Sequence, residues 1–420
     1  MAHYDVLVVG AGPAGNAAAY ALTKGGANVA LLEKQTLPRH KTCGGGMSIT
    51  TGVALDLDAY PNLDTSTFVE QKVTWMRHTF HFQDACLHPV NRNAEEPPLS
   101  LWMVQRSIFD NALTERAVRA GATLIQGAAL KEITQEADGR LRIQAEGKHG
   151  EWTATADYIL GADGANGIVA KLAGLRQKRT MGIAMEAEVP HNWGDGHPDL
   201  RPEVIHLEYG AVPRGYAWVF PKQSHINVGA GVFQQRRTEG RGDKNIKDLL
   251  QSSIQSYLHT LQLPIPDDIT YHAHPIPVWE GLDTIVTKNH RIMLLGDSAG
   301  LVQPLFGDGI LHAIKSGNFA AQAILEGKPQ TYADAVQKEF KADFNGAARV
   351  AELFHQFPSL CYHYGVKHPD ATYWAARLMA GEVPFHSVQS RLMKRLRRAI
   401  LKAPKPREEM PTPNISDTKP

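Results

Sequence analysis

An α/β fold, α+β when the whole chain is counted, is what the sequence predicts, and three observations carry the prediction. The first is a strand-turn-helix-strand unit over Tyr4 to Lys34, in which the apolar run Asp5–Val9 leads into Gly10, Gly12 and Gly15 at G-x-G-x-x-G spacing. The second is the return of an apolar strand ending in glycine and aspartate before a helix, at Gly161, Asp163 and Gly164 and again at Gly296 and Asp297. The third is a change from strand-helix alternation to longer β stretches between Met181 and Thr287. Together these predict a Rossmann-like dinucleotide-binding domain, a mixed or antiparallel β-sheet domain that covers the substrate, and a C-terminal helical segment.

Within the opening unit each glycine has its own reason. Gly10 permits the tight turn after the strand, Gly12 lets a pyrophosphate approach the backbone, and Gly15 lets the helix that continues through Asn16 to Lys24 pack closely on the sheet. The free N–H groups and the dipole of that helix face the phosphates. Asn28 to Leu32 reads as the next strand, and Glu33, 18 residues beyond Gly15, can accept hydrogen bonds from an adenosine ribose. Taken alone, this unit allows either NAD or FAD.

After Glu33, Pro38 and the run Gly44, Gly45, Gly46 exclude a regular element, and Arg39, His40 and Lys41 put positive charge beside the nucleotide. A triple glycine lets backbone lie flat against a planar ligand. Phe68 to Phe82 alternates as sheet, Asn91 to Pro98 reads as loop, and Ser107 is the expected N-cap of a helix with Phe109, Leu113 and Ala117 on one face. Residues 127–157 read as a three-stranded meander. A helix over Asn245 to Leu261 interrupts the later β section. Ile292 to Leu295 is a buried strand, and Ile310 to Leu325 is a helix whose small residues suit close packing on a sheet.

From Tyr332 the chain reads as helical and outside the sheet. Arg391 to Arg407 holds eight basic residues and no acidic one, a basic amphipathic helix able to rest on an anionic membrane surface, and Pro404 to Pro420 reads as disordered. The expected domains are therefore a discontinuous nucleotide domain (1–67, 101–180 and 288–330), a β-sheet domain (68–100 and 181–287), a helical region (331–403) and a tail (404–420).

Composition narrows the classes. A chain of 420 residues suits two or three domains, and 43% apolar with 21% charged residues is ordinary for a globular protein. A net charge of +1 gives no strong global field, so no nucleic-acid partner is expected. The three scattered cysteines, Cys43, Cys86 and Cys361, fit neither a disulfide scaffold nor a structural metal site, and suggest a reducing, cytoplasmic setting. The first strand starts within five residues of Met1, which leaves no room for a signal peptide, and no apolar run reaches the roughly 18 residues of a membrane span.

Three segments occur together: GAGPAG with Glu33, GADGANG, and GDSAGLVQPLFGDGI. In this order they resemble flavoproteins of the para-hydroxybenzoate hydroxylase type over roughly residues 1–330. The resemblance implies FAD as cofactor, with Gly10, Gly12, Pro13, Ala14, Gly15, Glu33 and Lys34 around its ADP half. It implies Asp163 and Gly164 as the family's DG motif, Asp297 on ribityl or ribose hydroxyls, and Arg106 beside the cofactor. Lys41, Gly44 and Gly45 fall to the flavin, as do Gly307, Gly309 and Ile310 at its pyrimidine edge. Two further stretches are similar to the geranylgeranyl reductase family. One is the loop Lys41 to Gly46, which makes Cys43 the candidate catalytic residue, a proton donor or redox relay. The other is Tyr216, Trp218 and Phe220, followed by Gly229 and Gly231, the family's substrate-pocket signature. The three aromatics alternate on one strand and so face one side. Thr42, where the family loop often has proline, and Phe306-Gly307-Asp308, where a small residue and glutamate are expected, depart from the pattern. The implied activity is hydride transfer from reduced flavin to carbon–carbon double bonds of a prenyl or similarly apolar substrate, with NADPH or a reduced protein as electron source. Two alternatives stand beside it: a flavin monooxygenase of an aromatic or isoprenoid substrate, and a membrane-surface partner protein that retains FAD.

Overall fold

A computed structural model describes residues 1–48, 65–92, 98–148, 150–175, 179–233, 243–281 and 284–388, with positions 390, 394 and 398. The expected basic helix over Arg391 to Arg407 and the tail beyond it lie almost entirely outside the described residues. No helix among the described residues is long and apolar enough to cross a membrane.

The first sheet is built around β1 (Ala2–Val9), which pairs in parallel with β2 (Val29–Glu33) on one side and β11 (Gly150–Gly161) on the other. β8 (Thr123–Gln126) extends it beyond β2. The 12-residue β11 serves two neighbours on its far edge. Its first half pairs antiparallel with β10 (Leu141–Gly147), itself paired to β9 (Ala128–Gln135), which is the expected meander. Its last residues pair in parallel with β17 (Ile292–Leu294), so the glycine-aspartate ends of both strands emerge at the same edge as Gly10. Every residue of β2 is buried, as a strand covered on both faces requires.

Helix α1 (Pro13–Lys24) starts with proline at its first position and packs on α5 (Ile310–Leu325). The small residues of α5 meet this helix: a β-carbon at Gly317 would collide with the Ala14 carbonyl oxygen. The helix over Phe109, Leu113 and Ala117, α2 (Arg106–Arg119), buries those three residues as expected, but it starts two residues earlier than the Ser107 cap implies, with Gln105 in the cap position. Arg106 is drawn into the first turn by its (i, i+4) pairing with Asp110. A short helix, α3 (Val169–Leu172), follows the Asp163 turn.

The second sheet runs in the order β16 (His272–Pro277), β12 (Met181–Pro190), β15 (His225–Val232), β14 (Gly215–Pro221), β13 (Val204–Tyr209), β5 (Trp75–Phe80) and β6 (Gln83–Pro89). It is antiparallel throughout except for the β13–β5 pair. One face is covered by α4 (Asp243–Thr260), whose Leu250, Ile254, Tyr257 and Leu258 pack on Val219, Val228 and Ala230. The third sheet is small: β3 (Gly46–Ser48), β7 (Leu101–Val104) and β4 (Val69–Val73). It hydrogen-bonds residues 69–73 to residues 101–104, and so stitches together stretches that the sequence assigns to different domains.

The C-terminal helices α6 (Tyr332–Gln356), α7 (Pro358–Cys361) and α8 (Asp370–Met379) are outside the sheets, as expected. They are not peripheral. Thr372 of α8 bonds the ring of His78 on β5, and Tyr362 bonds the backbone of the same strand.

Five imidazoles inside this fold are held neutral. Burial lowers His78, His206, His274 and His312 from an ordinary value of 6.5 to about 3, and His355 to about 4. Between those values and 6.5 the unfolded chain binds protons that the folded one refuses, so stability rises with pH across that window. The urea midpoint should therefore hold near neutral pH and fall steadily from pH 6.5 towards 4. His312→Gln and His206→Gln should each flatten that fall; an unchanged pH profile in both would remove the buried histidines as its cause.

Candidate functional site

A cavity of about 1080 Å³ begins at the carboxyl ends of β1 and β2 and runs across the second sheet to the C-terminal helices. At its nucleotide end the three glycines divide the work. Gly10 has φ of 105°, and side chains at Gly10 or Gly15 would collide with the Ala162 and Gly10 carbonyl oxygens. These two are required by the protein's own packing. Gly12, the N-cap of α1, has open space where its β-carbon would be and faces the cavity, with Pro13 and Ala14 beside it.

Glu33 is 4% exposed and its two oxygens accept the Ala11 and Gln35 N–H groups at 2.9 and 3.1 Å. Arg39 stands 3.4 Å from Glu33 and 3.1 Å from Asp110, and Asp110 holds Arg106 through two bonds of 2.8 and 2.9 Å. Burial opposes the Arg106 charge, but Asp110 and the neighbouring Cys43 outweigh it and hold the guanidinium above its ordinary range. Two acids and two arginines thus form one alternating chain along the cavity wall, with Lys34 lining the same end.

The two later aspartates differ in what they do for the fold. Asp163 is spent internally: it accepts from the Val169 N–H and from Ser298 Oγ, both at 2.9 Å, joining its own turn to the next. Gly164 lines the cavity at φ of 79°. Asp297 also lines it, and its carboxylate makes no hydrogen bond to the described residues. An unspent acid and an open glycine cradle at the two ends of this stretch fit a bound dinucleotide with hydroxyls at the Asp297 end.

Next along the cavity comes the loop Lys41 to Gly46. Cys43 Sγ accepts the Gly45 N–H at 3.4 Å, and Glu186 lines the cavity beside the loop. The triple glycine, expected to lie against a planar ligand, lies against the protein's own aromatic rings: a β-carbon on Gly44 would come within 2.8 Å of Phe220 and 3.1 Å of Trp218. Lys222 pins the loop by donating to Gly44 O at 2.8 Å and Val104 O at 2.7 Å. Burial lowers that ammonium to about 8. Burial and then Arg106 lower Lys41. Burial raises the Asp308 carboxyl to about 6, beside Gly307, Gly309 and Ile310, where the N-terminus of α5 meets the cavity.

The aromatic row forms the cavity floor. Tyr216, Trp218 and Phe220 all line it, as alternation on β14 requires. Gly229 and Gly231 do not line it. They lie beneath the row, where a side chain at Gly229 would collide with the Trp218 indole. Trp218 Nε1 donates to Asn227 at 2.9 Å, and Asn227 donates to Glu186 at 2.8 Å. Burial raises the Glu186 carboxyl. Tyr216 bonds the Phe306 carbonyl at 2.5 Å, which ties the row to the Gly307 turn.

Glu186, Lys222 and the C-terminal wall were not legible in the sequence. Glu186 sits unmarked in a strand, and Lys222 follows a signature that ends at Pro221. The helices α6 and α8 bring Phe354, Thr372, Leu378 and Met379 over the far end of the floor.

A glycine-rich dinucleotide cradle that opens onto an apolar, aromatic-floored cavity defines a flavin-dependent oxidoreductase. The chain belongs to the FAD binding domain family, whose model matches residues 3–326. It is 31% identical to a chloroplastic geranylgeranyl diphosphate reductase of rice over 345 residues, 77% of this chain and 66% of that one. It is 26% identical to digeranylgeranylglycerophospholipid reductase 1 of Methanopyrus kandleri, over 83% of this chain and 90% of that protein. The crystal structure of a geranylgeranyl bacteriochlorophyll reductase-like protein from Thermoplasma acidophilum has the same fold, with a TM-score of 0.69, 22% identity and 96% of each chain covered.

Lys222→Met should leave the Gly44 and Val104 carbonyls without their buried donor, at a cost of about 1–3 kcal/mol. The check is chemical denaturation together with the near-ultraviolet signal of Trp218. Unaltered stability would mean the loop is held by other contacts.

Proposed function

We propose that this protein reduces carbon–carbon double bonds in a prenyl or similarly apolar chain, using FAD bound along the glycine and aspartate turns. The observation that carries the reading is continuity: the end of the cavity lined by Gly12, Glu33 and Asp297 runs directly into the aromatic floor of Tyr216, Trp218 and Phe220. The names of the rice and Methanopyrus relatives, both reductases of geranylgeranyl compounds, support it.

In this reading Gly10, Gly12, Pro13 and Ala14 take the pyrophosphate at the start of α1, and Glu33 and Lys34 take the adenosine ribose. Asp297 takes ribityl hydroxyls, and Asp163 and Gly164 shape the turn beside them. Arg106, Lys41, Gly44 and Gly45 flank the ring, while Gly307, Gly309 and Ile310 present the N-terminus of α5 to its pyrimidine edge. FAD held by these residues would, when reduced, supply the hydride for alkene reduction, with NADPH or a reduced protein as electron source.

The chain's own residues do the rest. Trp218 and Phe220 hold the prenyl chain against the Cys43 loop and keep water away. Cys43 gives its thiol proton to the second alkene carbon: the S–H bond breaks, a C–H bond forms, and the sulfur is left as thiolate. Solvent returns the proton.

Glu33→Ala should lower FAD affinity about tenfold or more, the worth of a charge-assisted hydrogen bond, read as flavin absorbance retained after dialysis. Full flavin content would sink that role. Cys43→Ser should keep FAD and its visible spectrum yet lose about 10²–10⁴-fold in turnover of a geranylgeranyl substrate with chemically reduced enzyme. Undiminished turnover removes Cys43 from the proton step.

A further inference from the structure

The strand registers set one straight line of residues across the sheet under the cavity. Glu186 lies opposite Gly229, Gly229 opposite Trp218, Trp218 opposite Leu207, and Leu207 opposite His78. Four strand spacings separate Glu186 from His78, about 19 Å. The middle of the line is apolar, and its far end is not.

At that end His78 is 3% exposed and sits between two hydroxyls, Tyr209 at 3.3 Å from Nδ1 and Thr372 at 2.9 Å from Nε2. All three residues line the cavity. Burial, with His88 adding to it, holds this imidazole neutral. A neutral imidazole gives one proton and takes one. Whichever tautomer is present, one hydroxyl donates to the ring and the other accepts from it. The accepting hydroxyl keeps its own proton, and neither side-chain hydroxyl has another hydrogen-bond partner among the described residues. His355, also on the cavity wall, has a buried Nδ1 without a partner. The lysines and arginines that line the cavity, among the described residues, are Lys34, Arg39, Lys41 and Arg106, all at the nucleotide end.

We propose that His78, Tyr209 and Thr372 form a donor subsite for an uncharged oxygen, a carbonyl or ester oxygen, at the polar end of the substrate. The prenyl chain then lies along the row towards Cys43. This rests on the prenyl reading above and narrows it: the substrate enters as a neutral prenyl lipid, because among the described residues no lysine or arginine lines this end of the cavity to meet a phosphate.

The test is titration of the oxidised, FAD-loaded protein with geranylgeranyl acetate, geranylgeranyl diphosphate and an acyclic diterpene hydrocarbon of the same length. Flavin absorbance and tryptophan fluorescence report binding. The acetate should bind about tenfold tighter than the hydrocarbon, the worth of one buried hydrogen bond, and tighter than the diphosphate. The Tyr209→Phe, Thr372→Val double variant should bind acetate and hydrocarbon alike, with hydrocarbon affinity retained, while Thr372→Ser should keep the preference. Equal affinities in the unaltered protein, strongest binding by the diphosphate, or a preference that survives the double variant would each overturn the subsite and leave the prenyl reading standing. Failure of both the acetate and the hydrocarbon to bind would overturn the prenyl reading and the subsite with it.

Discussion

One buried ammonium holds the working parts in register. Lys222 emerges at the end of β14 in the second sheet, and its donors reach the carbonyls of Gly44 and Val104, which belong to the Cys43 loop and the third sheet. Its own backbone carbonyl receives the Trp193 indole at 2.8 Å. A charge in that position costs desolvation free energy, as its lowered proton affinity records, and the cost is offset only if the carbonyls stay in place. Lys222 therefore ties the loop and the small sheet to the strand that carries the aromatic row.

Charge is graded along the cavity. At the nucleotide end, acids and arginines alternate from Glu33 to Arg106, each satisfied by the next. Near Cys43 burial dominates: it lowers Lys41 and raises Glu186. At the far end the His78, Tyr209 and Thr372 group is uncharged, and Asp370 is ion-paired with Arg92 at 2.9 Å. A dinucleotide and an apolar chain need opposite surroundings, and one continuous space offers both: Glu33, Arg39 and Arg106 line one end, and the aromatic row of the second sheet lines the middle.

Local sequence made the first of these legible and the second only partly so. Gly10, Gly12, Gly15 and Glu33 lie within one strand-helix-strand unit, so spacing alone places them together. Period-two alternation put Tyr216, Trp218 and Phe220 on one face. It could not say that Gly229 and Gly231 lie under that face, because a glycine in a strand carries no direction and its partner is fixed by a register across the sheet. Glu186, Lys222 and the His78 group are assembled from segments up to 294 residues apart, each an ordinary residue in its own neighbourhood. Thr42 and Phe306, departures from the resembled pattern, flank the same loop and turn that the aromatic row locks.

The C-terminal wall has a consequence for how such a protein changes over time. The cofactor end is assembled from turns scattered over some 300 residues, from Gly10 to Ile310, and an exchange of any one disturbs the others. The wall over the far end of the floor comes from a single contiguous stretch of helices after Tyr332. A recombination event or a run of substitutions confined to that stretch could recast the shape of the chamber while the redox apparatus is inherited intact.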